Sequence, residues 1–301
     1  KWWSDAKKEM KSDGHFQLPV KKTEPIVYHA EELSPAEKLM SNIRDAKGLK
    51  AQLAAASELY KGTGDVENKD AVLDEVVAIL NSAIKNHLKL KPSLALEAVL
   101  LRDAIRTQPG VQSQEGELVA NDIFSKADNL AAVIEGLSAG KQKLALEAFR
   151  DAHPDTWVDT YLKLINETGF RLVGEIVQIL IDTGHFDKFK GDLTKLISKR
   201  KASTDLMLWI GKNRSDSFAD MLGPDVFHAM MAAIENDRFE DRKTSKLGDL
   251  ILSDQELITD LIGSADIELV EDLVRALQAT NCFDDMDKRS LLGRIVKEFP
   301  S

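Results

Sequence analysis

The sequence predicts an all-α fold, either a helical-repeat solenoid or a superhelical array of short antiparallel helices. Apolar residues recur at helical spacing through most of the chain, and Val, Ile and Thr do not gather into the alternating runs of a large sheet. A helix–turn–helix pattern at 169–200 returns in weaker copies around Phe239 and Phe283. The spacing of roughly 45–55 residues is typical of two-helix repeats of the HEAT or TPR kind.

Residues 1–33 are predicted to form a basic N-terminal arm that contains two tryptophans. The stretch 1–11 has the composition of a short amphipathic helix, with apolar Trp2 and Trp3 among several lysines. We expect the rest of the arm to be extended, because Gly14, Pro19 and Pro25 disfavour a helix.

Residues 34–152 are predicted to form a helical subdomain. Ser34, Pro35 and Glu37 form a capping-box sequence, which predicts a helix that runs through Leu59 and stops near Gly62. Apolar periodicity predicts further helices at about 69–88, 92–106, 117–136 and 140–151. The Gly- and Gln-rich stretch 107–116 is predicted to be a loop.

Residues 153–301 are predicted to form a second, more repeat-like helical subdomain. His153-Pro154-Asp155 marks the internal break, with Asp155 as the expected N-cap of the next helix. The main turn is expected at 183–187, a second capping box at 253–256, and an acid-capped helix after Asp284. Further breaks are expected at Gly169, Gly184, Gly223-Pro224, Gly263 and Asn281.

The composition limits the class of protein. A net charge of −10 argues against bulk, non-specific binding to nucleic acid or to acidic membranes. The single cysteine, Cys282, excludes an intrachain disulfide framework and favours a cytoplasmic location. No apolar run approaches the ~20 residues of a membrane span. The chain begins with Lys rather than Met, which is consistent with a piece of a longer protein.

No motif in the sequence indicates an enzyme, a metal site, a cofactor or a small-molecule substrate. The stretch 136–141 is similar to a phosphate-binding loop, but it has one residue too few between its glycines and Gln142 where Ser or Thr would hold magnesium. The enzymatic alternative is a site assembled from dispersed residues such as Asp182, His185 and Arg200. No base–nucleophile or metal-ligand spacing supports this alternative.

Two sets of residues are candidates for binding a partner. The arm is interpreted either as a docking element, with tryptophan anchors and a lysine rim, or as a segment whose tryptophans pack on the first helices. The docking interpretation gives the candidates Trp2, Trp3, Lys7, Lys8, Lys21 and Lys22. A broken basic stripe along stacked repeats adds Arg214, Arg289 and Arg294, with an ordinary solvated face as the alternative.

The two ends of the chain carry motifs more particular than amphipathicity requires. At the C-terminal end the motif is the stretch DKRSLLGRIVKEFP at 287–300. At the N-terminal end it consists of Trp2, Trp3, Ala6, Lys7, Lys8, Lys11, Asp13, Phe16, Pro19, Lys21, Lys22, Thr23, Glu24, Pro25 and Ile26. Together they resemble the helical extension that precedes the Gre module in long Gre-type transcription elongation factors of the Chlamydiae–Verrucomicrobia group.

This resemblance implies a protein that associates with bacterial RNA polymerase and helps to restart backtracked complexes. In that family an acidic coiled-coil tip supplies carboxylates to the polymerase. This sequence contains no such coiled coil, so transcript cleavage is not carried over to any of its residues. The expected function is a non-enzymatic protein-interaction scaffold, with RNA polymerase as partner and nucleic acid contacted only indirectly or through the arm. The alternative is a generic HEAT- or TPR-like adaptor outside transcription.

Overall fold

The computed structural model of the protein describes residues 2–18, 25–30, 34–62, 68–108, 111, 113, 115–214, 218–237, 245–263 and 265–298. Within these ranges it contains seventeen α-helices, a 3-10 turn at Ala219–Met221 and one small antiparallel sheet. The predicted all-α class is therefore confirmed. The chain divides into two compact units, Lys1–Ala152 and His153–Ser301.

The first unit consists of a helix with a small hairpin, followed by seven further helices. Its core is formed mainly where α2 packs on α3 and where α4 and α3 pack on α5. Buried aliphatic side chains such as Leu59, Leu73 and Leu96 fill these contacts. The elements are α1 Trp2–Ser12, β1 Phe16–Gln17, β2 Val27–Tyr28, α2 Pro35–Asp45, α3 Leu49–Gly62, α4 Lys69–His87, α5 Pro92–Arg106, α6 Ala120–Phe124, α7 Leu130–Glu135 and α8 Ala139–Ala152.

The predicted start of α2 is confirmed in detail. The Ser34 hydroxyl accepts a hydrogen bond from the Glu37 backbone N–H at 3.2 Å, and the Glu37 carboxylate accepts one from the Ser34 N–H at 2.9 Å. Pro35 occupies the first helical turn, where its missing N–H removes no intrahelical bond. Pro92 begins α5 in the same way.

Two predicted long helices are each interrupted. The helix expected from Pro35 to Leu59 is two helices, because the chain turns at Gly48 with φ of +86°, a conformation that glycine adopts readily. The helix expected at 117–136 is also wrong: α6 ends at Phe124, and α7 begins after Asn129. The Asn129 side chain accepts from the Ala132 N–H at 2.9 Å and thereby caps a new helix.

A buried arginine fixes the segment that leads into α6. Arg102 on α5 is 1% exposed, and its Nη1 donates to Asn81 Oδ1 at 2.9 Å and to the Leu118 carbonyl at 2.8 Å. Its Nε and Nη2 donate to the Asp103 carboxylate. Asn81 in turn donates to Glu117. These bonds satisfy polar groups that the packing of α4 and α5 removes from water.

In the second unit, the regular secondary structure of the described residues is entirely helical. Its largest buried side chains include Phe189, Phe227 and Tyr161. The helices are α9 Trp157–Leu164, α10 Phe170–Asp182, α11 Phe186–Ser198, α12 Thr204–Lys212, α13 Pro224–Asn236, α14 Lys246–Ser253, α15 Gln255–Ile262, α16 Ile267–Ala279 and α17 Asp285–Glu298.

The contacts of the second unit follow the predicted copies, which correspond to the pairs α10–α11, α13–α14 and α16–α17. In each copy the first helix packs on the second. In the first two copies a third helix, α12 or α15, packs on the first helix and also on the second helix of the next copy. The copy around Phe239 is only partly visible, because residue 239 lies outside the described residues. A solenoid built from these copies stays a prediction.

Two predicted caps in this unit are displaced by one residue. Asp155 lies in a turn in which the His153 carbonyl accepts from the N–H groups of Thr156 and Trp157. The N-cap of α9 is therefore Thr156 rather than the predicted Asp155. At the second capping box, α14 continues to Ser253 and the Asp254 carboxylate caps α15. That carboxylate accepts from the backbone N–H groups of Glu256 and Leu257, both at 3.1 Å.

Among the helices described, none combines the length and the apolar composition that crossing a bilayer requires.

Candidate functional site

Helix α1 presents the two tryptophans to solvent. Trp2 is 78% exposed and Trp3 is 48% exposed, although they share a side of the helix with the half-buried Ala6 and Met10. Their ring centroids lie 6.2 Å apart. The sequence had left open whether these rings pack on the first helices of the body. In the structure they form an accessible aromatic surface instead.

A short hairpin follows α1 and packs on it through β1. Phe16 pairs with Tyr28 and Gln17 pairs with Val27 in an antiparallel register. The Phe16 ring meets the Tyr28 ring edge-on at 5.3 Å, and the His15 ring stacks on Tyr28 at 5.9 Å. These aromatic pairs support a sheet that has only two residues in each strand.

Helix and hairpin together border an open groove of about 440 Å³. Its lining is mostly apolar, with two acids on one rim. The lining residues are Trp2, Trp3, Ala6, Glu9, Met10, Asp13, Phe16 and Ile26. Beside the groove, Val27 and Tyr28 are 44% and 63% exposed, so the apolar surface continues onto the hairpin.

The hairpin is tied to the helical body by side-chain hydrogen bonds. Gln17 Nε2 donates to Ser41 Oγ on α2 at 3.1 Å, and Gln17 Oε1 lies 3.3 Å from His29 Nε2. The Ser41 hydroxyl donates onward to Asp45 at 3.0 Å. The arm is therefore positioned by contacts beyond its own chain neighbours.

Charges flank the aromatic surface on both sides. Lys7 Nζ lies 5.5 Å from the centre of the Trp3 ring, a cation–π contact. Lys8 is exposed and points away from Ala6, because residues two apart in a helix face opposite sides. At the hairpin end, hydrogen bonds from the backbone N–H and the ring of His15 hold the pKa of Asp13 below its usual value.

The structure brings four of the predicted partner-binding residues together on one helix. Trp2, Trp3, Lys7 and Lys8 all belong to α1. Residues 21 and 22, the other two lysines of the predicted rim, lie outside the described residues.

Arg214, predicted for a basic stripe in the second unit, is engaged within that unit. Its guanidinium donates to Asp254 at 2.8 Å, to Asp260 at 2.7 Å and to the Gly211 carbonyl at 2.6 Å. Burial opposes the charged form of Arg214, but the hydrogen bonds to the two aspartates outweigh it and raise the pKa of the guanidinium. The same contact lowers the pKa of Asp254. Arg214 therefore joins α12 to α15.

The other two arginines of the predicted stripe, Arg294 and Arg289, differ in their contacts within the second unit. Arg294 donates to the carbonyls of Ile251 and Leu252, at 3.4 Å and 2.6 Å, and so covers the end of α14. Arg289 is exposed near the start of α17. A partner-binding role for these arginines stays a prediction.

The dispersed residues considered for an enzymatic site do not converge. His185 precedes α11 and Arg200 follows it, so the length of that helix, about 20 Å, separates their backbones. His185 lies 3.1 Å from the Thr183 hydroxyl and edge-on to Trp157, while Asp182 accepts from Gln178. In the described part of the chain, no group of three His, Cys, Asp or Glu side chains is placed to hold a metal ion.

Comparison with known families identifies the chain. Residues 35–288 match the family model of the GreA-associated C-terminal domain. The protein belongs to this GreA-associated family. Residues 1–33 match the helix-turn-helix domain that bears the same family name, so the arm and the helical body correspond to two different domain types. Comparison with curated proteins and with solved structures returns no significant match.

Sequence reasoning missed the hairpin of the arm. Only an extended arm was expected, and the exposed Val27 and Tyr28 were not singled out. The sequence carries little signal for it, because each strand has only two residues and Pro19 and Pro25 lie between the strands. In the described part of residues 1–33 there is one helix, α1, together with this hairpin.

Proposed function

We propose that the chain is a non-enzymatic interaction scaffold, the helical N-terminal part of a Gre-like transcription elongation factor that associates with RNA polymerase. The observation that carries the proposal is the match of residues 35–288 to the GreA-associated C-terminal domain. Gre factors act on RNA polymerase, so a domain associated with them has the polymerase, or the Gre module bound to it, as its natural partner. The likeness of the two chain ends to long Gre-type factors supports the same assignment.

The arm is the proposed contact. Tryptophan is the residue most enriched among those that dominate binding energy at protein interfaces, and here two tryptophans stand side by side on an accessible helix. Lys7 adds a cation beside Trp3, and Lys8 adds one on the opposite side of α1. Such exposed charges guide association more than they strengthen it. Attachment of the hairpin to α2 limits the ordering cost of binding.

The test is capture of purified core RNA polymerase by the chain at low and at moderate salt. We expect the wild type to retain polymerase and the double variant Trp2→Ala/Trp3→Ala to retain at least tenfold less of it. The matched control is Leu90→Ala/Met286→Ala, which removes two side chains that are each 81% exposed but lie elsewhere. Circular dichroism of all three proteins should show the same helical signal.

Retention of polymerase by the tryptophan variant would contradict the proposal that the arm makes the contact, but it would still support RNA polymerase as the partner. A folded wild type that captures no polymerase would contradict the proposal itself. It would favour the alternative, a generic HEAT- or TPR-like adaptor whose partner lies outside transcription.

A second candidate function is nucleic-acid contact through the arm. The match of residues 1–33 to a helix-turn-helix domain favours it, since such domains place one helix in the major groove of DNA. Fluorescence anisotropy of a labelled 20-base-pair DNA duplex at the same two salt concentrations tests this case, because the capture of core polymerase involves no nucleic acid. Contact through lysine and phosphate weakens steeply as salt increases, whereas contact through the tryptophans does not.

A further inference from the structure

Three consecutive cations follow helix α11. Lys199, Arg200 and Lys201 are all exposed, and no side-chain hydrogen bond or ion pair joins them to the described part of the chain. Lysines elsewhere on the same helix are paired: Lys188 with Asp159, Lys190 with Asp220 and Lys195 with Asp192. In a chain with a net charge of −10, an unpaired run of three cations is an exception.

The backbone at Arg200 adopts a conformation that usually requires glycine. Its φ is +53°, in the left-handed region. The Lys201 N–H donates back to the Leu196 carbonyl at 2.9 Å and the Arg200 N–H to the Ile197 carbonyl at 2.9 Å. This is the Schellman ending of a helix, in which the left-handed position is most often glycine.

The preceding helix provides an internal comparison. At the end of α10 the His185 N–H donates to the Leu180 carbonyl at 2.7 Å and the Gly184 N–H to the Ile181 carbonyl at 3.0 Å. Gly184 has φ of +75° and occupies the position that Arg200 occupies at the end of α11. Helix α10 therefore ends with a glycine, which adopts this conformation without strain, whereas α11 ends with an arginine, for which the conformation costs free energy.

Stabilisation of α11 does not explain this choice. A cation near a helix C-terminus interacts favourably with the helix dipole, but Lys199 already supplies one without strain. An arginine anywhere else in the last turn would do the same. A non-glycine residue in this conformation is instead a reason to consider a role in binding.

The turn that carries the cations is held rigidly. Asn166 Nδ2 donates to the Lys201 carbonyl at 3.0 Å, and Asn166 Oδ1 accepts from the Ser203 N–H at 2.7 Å. The Ser203 hydroxyl then caps α12 by accepting from the Leu206 N–H at 3.3 Å. The three side chains therefore extend from a fixed backbone, which lowers the entropy lost when a ligand binds.

We propose that the cationic turn, defined as residues 199–201, is a docking site for an acidic segment of a partner protein, with Arg200 as its central contact. The planar guanidinium fits a carboxylate through two parallel hydrogen bonds, and the flanking lysines neutralise neighbouring acids. The three long side chains leave one turn, so together they can reach two or three carboxylates of a peptide. This site is independent of the arm and of the function proposed above.

A protein segment fits the cationic turn better than nucleic acid does. Duplex binding gains its affinity from many phosphate contacts along the backbone, whereas this turn offers three cations on an acidic chain. Single strands bind through aromatic stacking, and the segment 196–203 contains no aromatic residue.

The test uses a fluorescein-labelled hexaglutamate peptide as the probe, with fluorescence anisotropy at low ionic strength. We expect the full chain to bind it, Arg200→Gly to weaken binding at least fivefold, and Lys199→Gln/Arg200→Gly/Lys201→Gln to abolish it. Lys297→Gln, which removes an exposed lysine from α17, is the matched control and should bind as the wild type does. Arg200→Gly should also raise the thermal midpoint, because it relieves the left-handed arginine.

The two readouts separate binding from folding. Weakened binding together with an equal or higher midpoint would support the proposal. Wild-type binding by Arg200→Gly, or a lower midpoint in that variant, would overturn it. The absence of peptide binding by the wild-type chain, or tighter binding to a 20-base-pair DNA duplex than to the peptide, would overturn it as well.

Discussion

Arg102 and Arg150 show how burial decides the role of a side chain. Each is followed by an aspartate to which its guanidinium donates, so the local sequences are alike. The Arg102 side chain is 1% exposed and also bonds to Asn81 and the Leu118 carbonyl, whereas the Arg150 side chain is 34% exposed. Only the first fixes tertiary structure.

We predict that Arg102→Met lowers the free energy of unfolding by about 2 kcal/mol or more, because it leaves the buried side-chain oxygen of Asn81 and the partly buried carbonyl of Leu118 without this donor. Arg150→Met should change stability by less than about 0.5 kcal/mol, as expected for an exposed pair. Urea unfolding followed by circular dichroism measures both. Equal effects of the two substitutions would show that the Arg102 network is not stabilising.

The sequence did not reveal the contacts of the candidate arginines in the second unit. Their cationic spacing was visible, but the partners of Arg214 are 40 and 46 residues away in the chain, at Asp254 and Asp260. Arg200 likewise gave no sign of its left-handed backbone. Such features depend on tertiary contacts, which residue type alone does not specify.

At the scale of the elements, helix starts were more predictable than helix interruptions. Pro35, Pro92 and Pro224 each begin a helix, in the first-turn position that proline favours. The breaks at Gly48 and before Asn129 were missed, because apolar periodicity continues across both. The breaks are only three residues (46–48) and five residues (125–129) long, and the apolar pattern of each sequence does not show where the helix stops.

The capping box of α2 gives a prediction for one element. Ser34→Ala should lower the free energy of unfolding by about 1 kcal/mol at neutral pH, the typical effect of losing a side-chain N-cap. Ser198→Ala at the end of α11 removes a hydroxyl that donates to the Lys195 carbonyl and caps no N–H, so it should have little effect. Thermal unfolding of the two variants provides the comparison.

The contribution of Glu37 to this cap should depend on pH. Hydrogen bonds from the backbone N–H and hydroxyl of Ser34 hold the pKa of Glu37 below its ordinary value of 4.5. A carboxyl with a lowered pKa stabilises the fold above its unfolded pKa and loses that effect as the pH falls through the folded one. The gap between wild type and Ser34→Ala should therefore narrow below pH 4.5. A gap that stays constant down to pH 2 would contradict the role of the carboxylate.

At the scale of the whole molecule, the two units each possess what an independent domain needs. Each spans about 150 residues, a size at which a chain buries enough surface to fold alone. The boundary between Ala152 and His153 falls after the end of α8 and before the start of α9, so it interrupts no helix. The sequence marked this position through Pro154, which disfavours a continuous helix.

We therefore predict that the chain divided between Ala152 and His153 yields two fragments that each fold. Both should give a helical circular-dichroism spectrum and a cooperative urea transition. A matched division between Met230 and Met231, inside α13, should destroy the larger fragment's repeat contacts, because α13 packs on five other helices of the second unit. If either fragment of the first division lacks a cooperative transition, its core depends on the other unit. The arm and the cationic turn would then have to be studied in the intact chain alone.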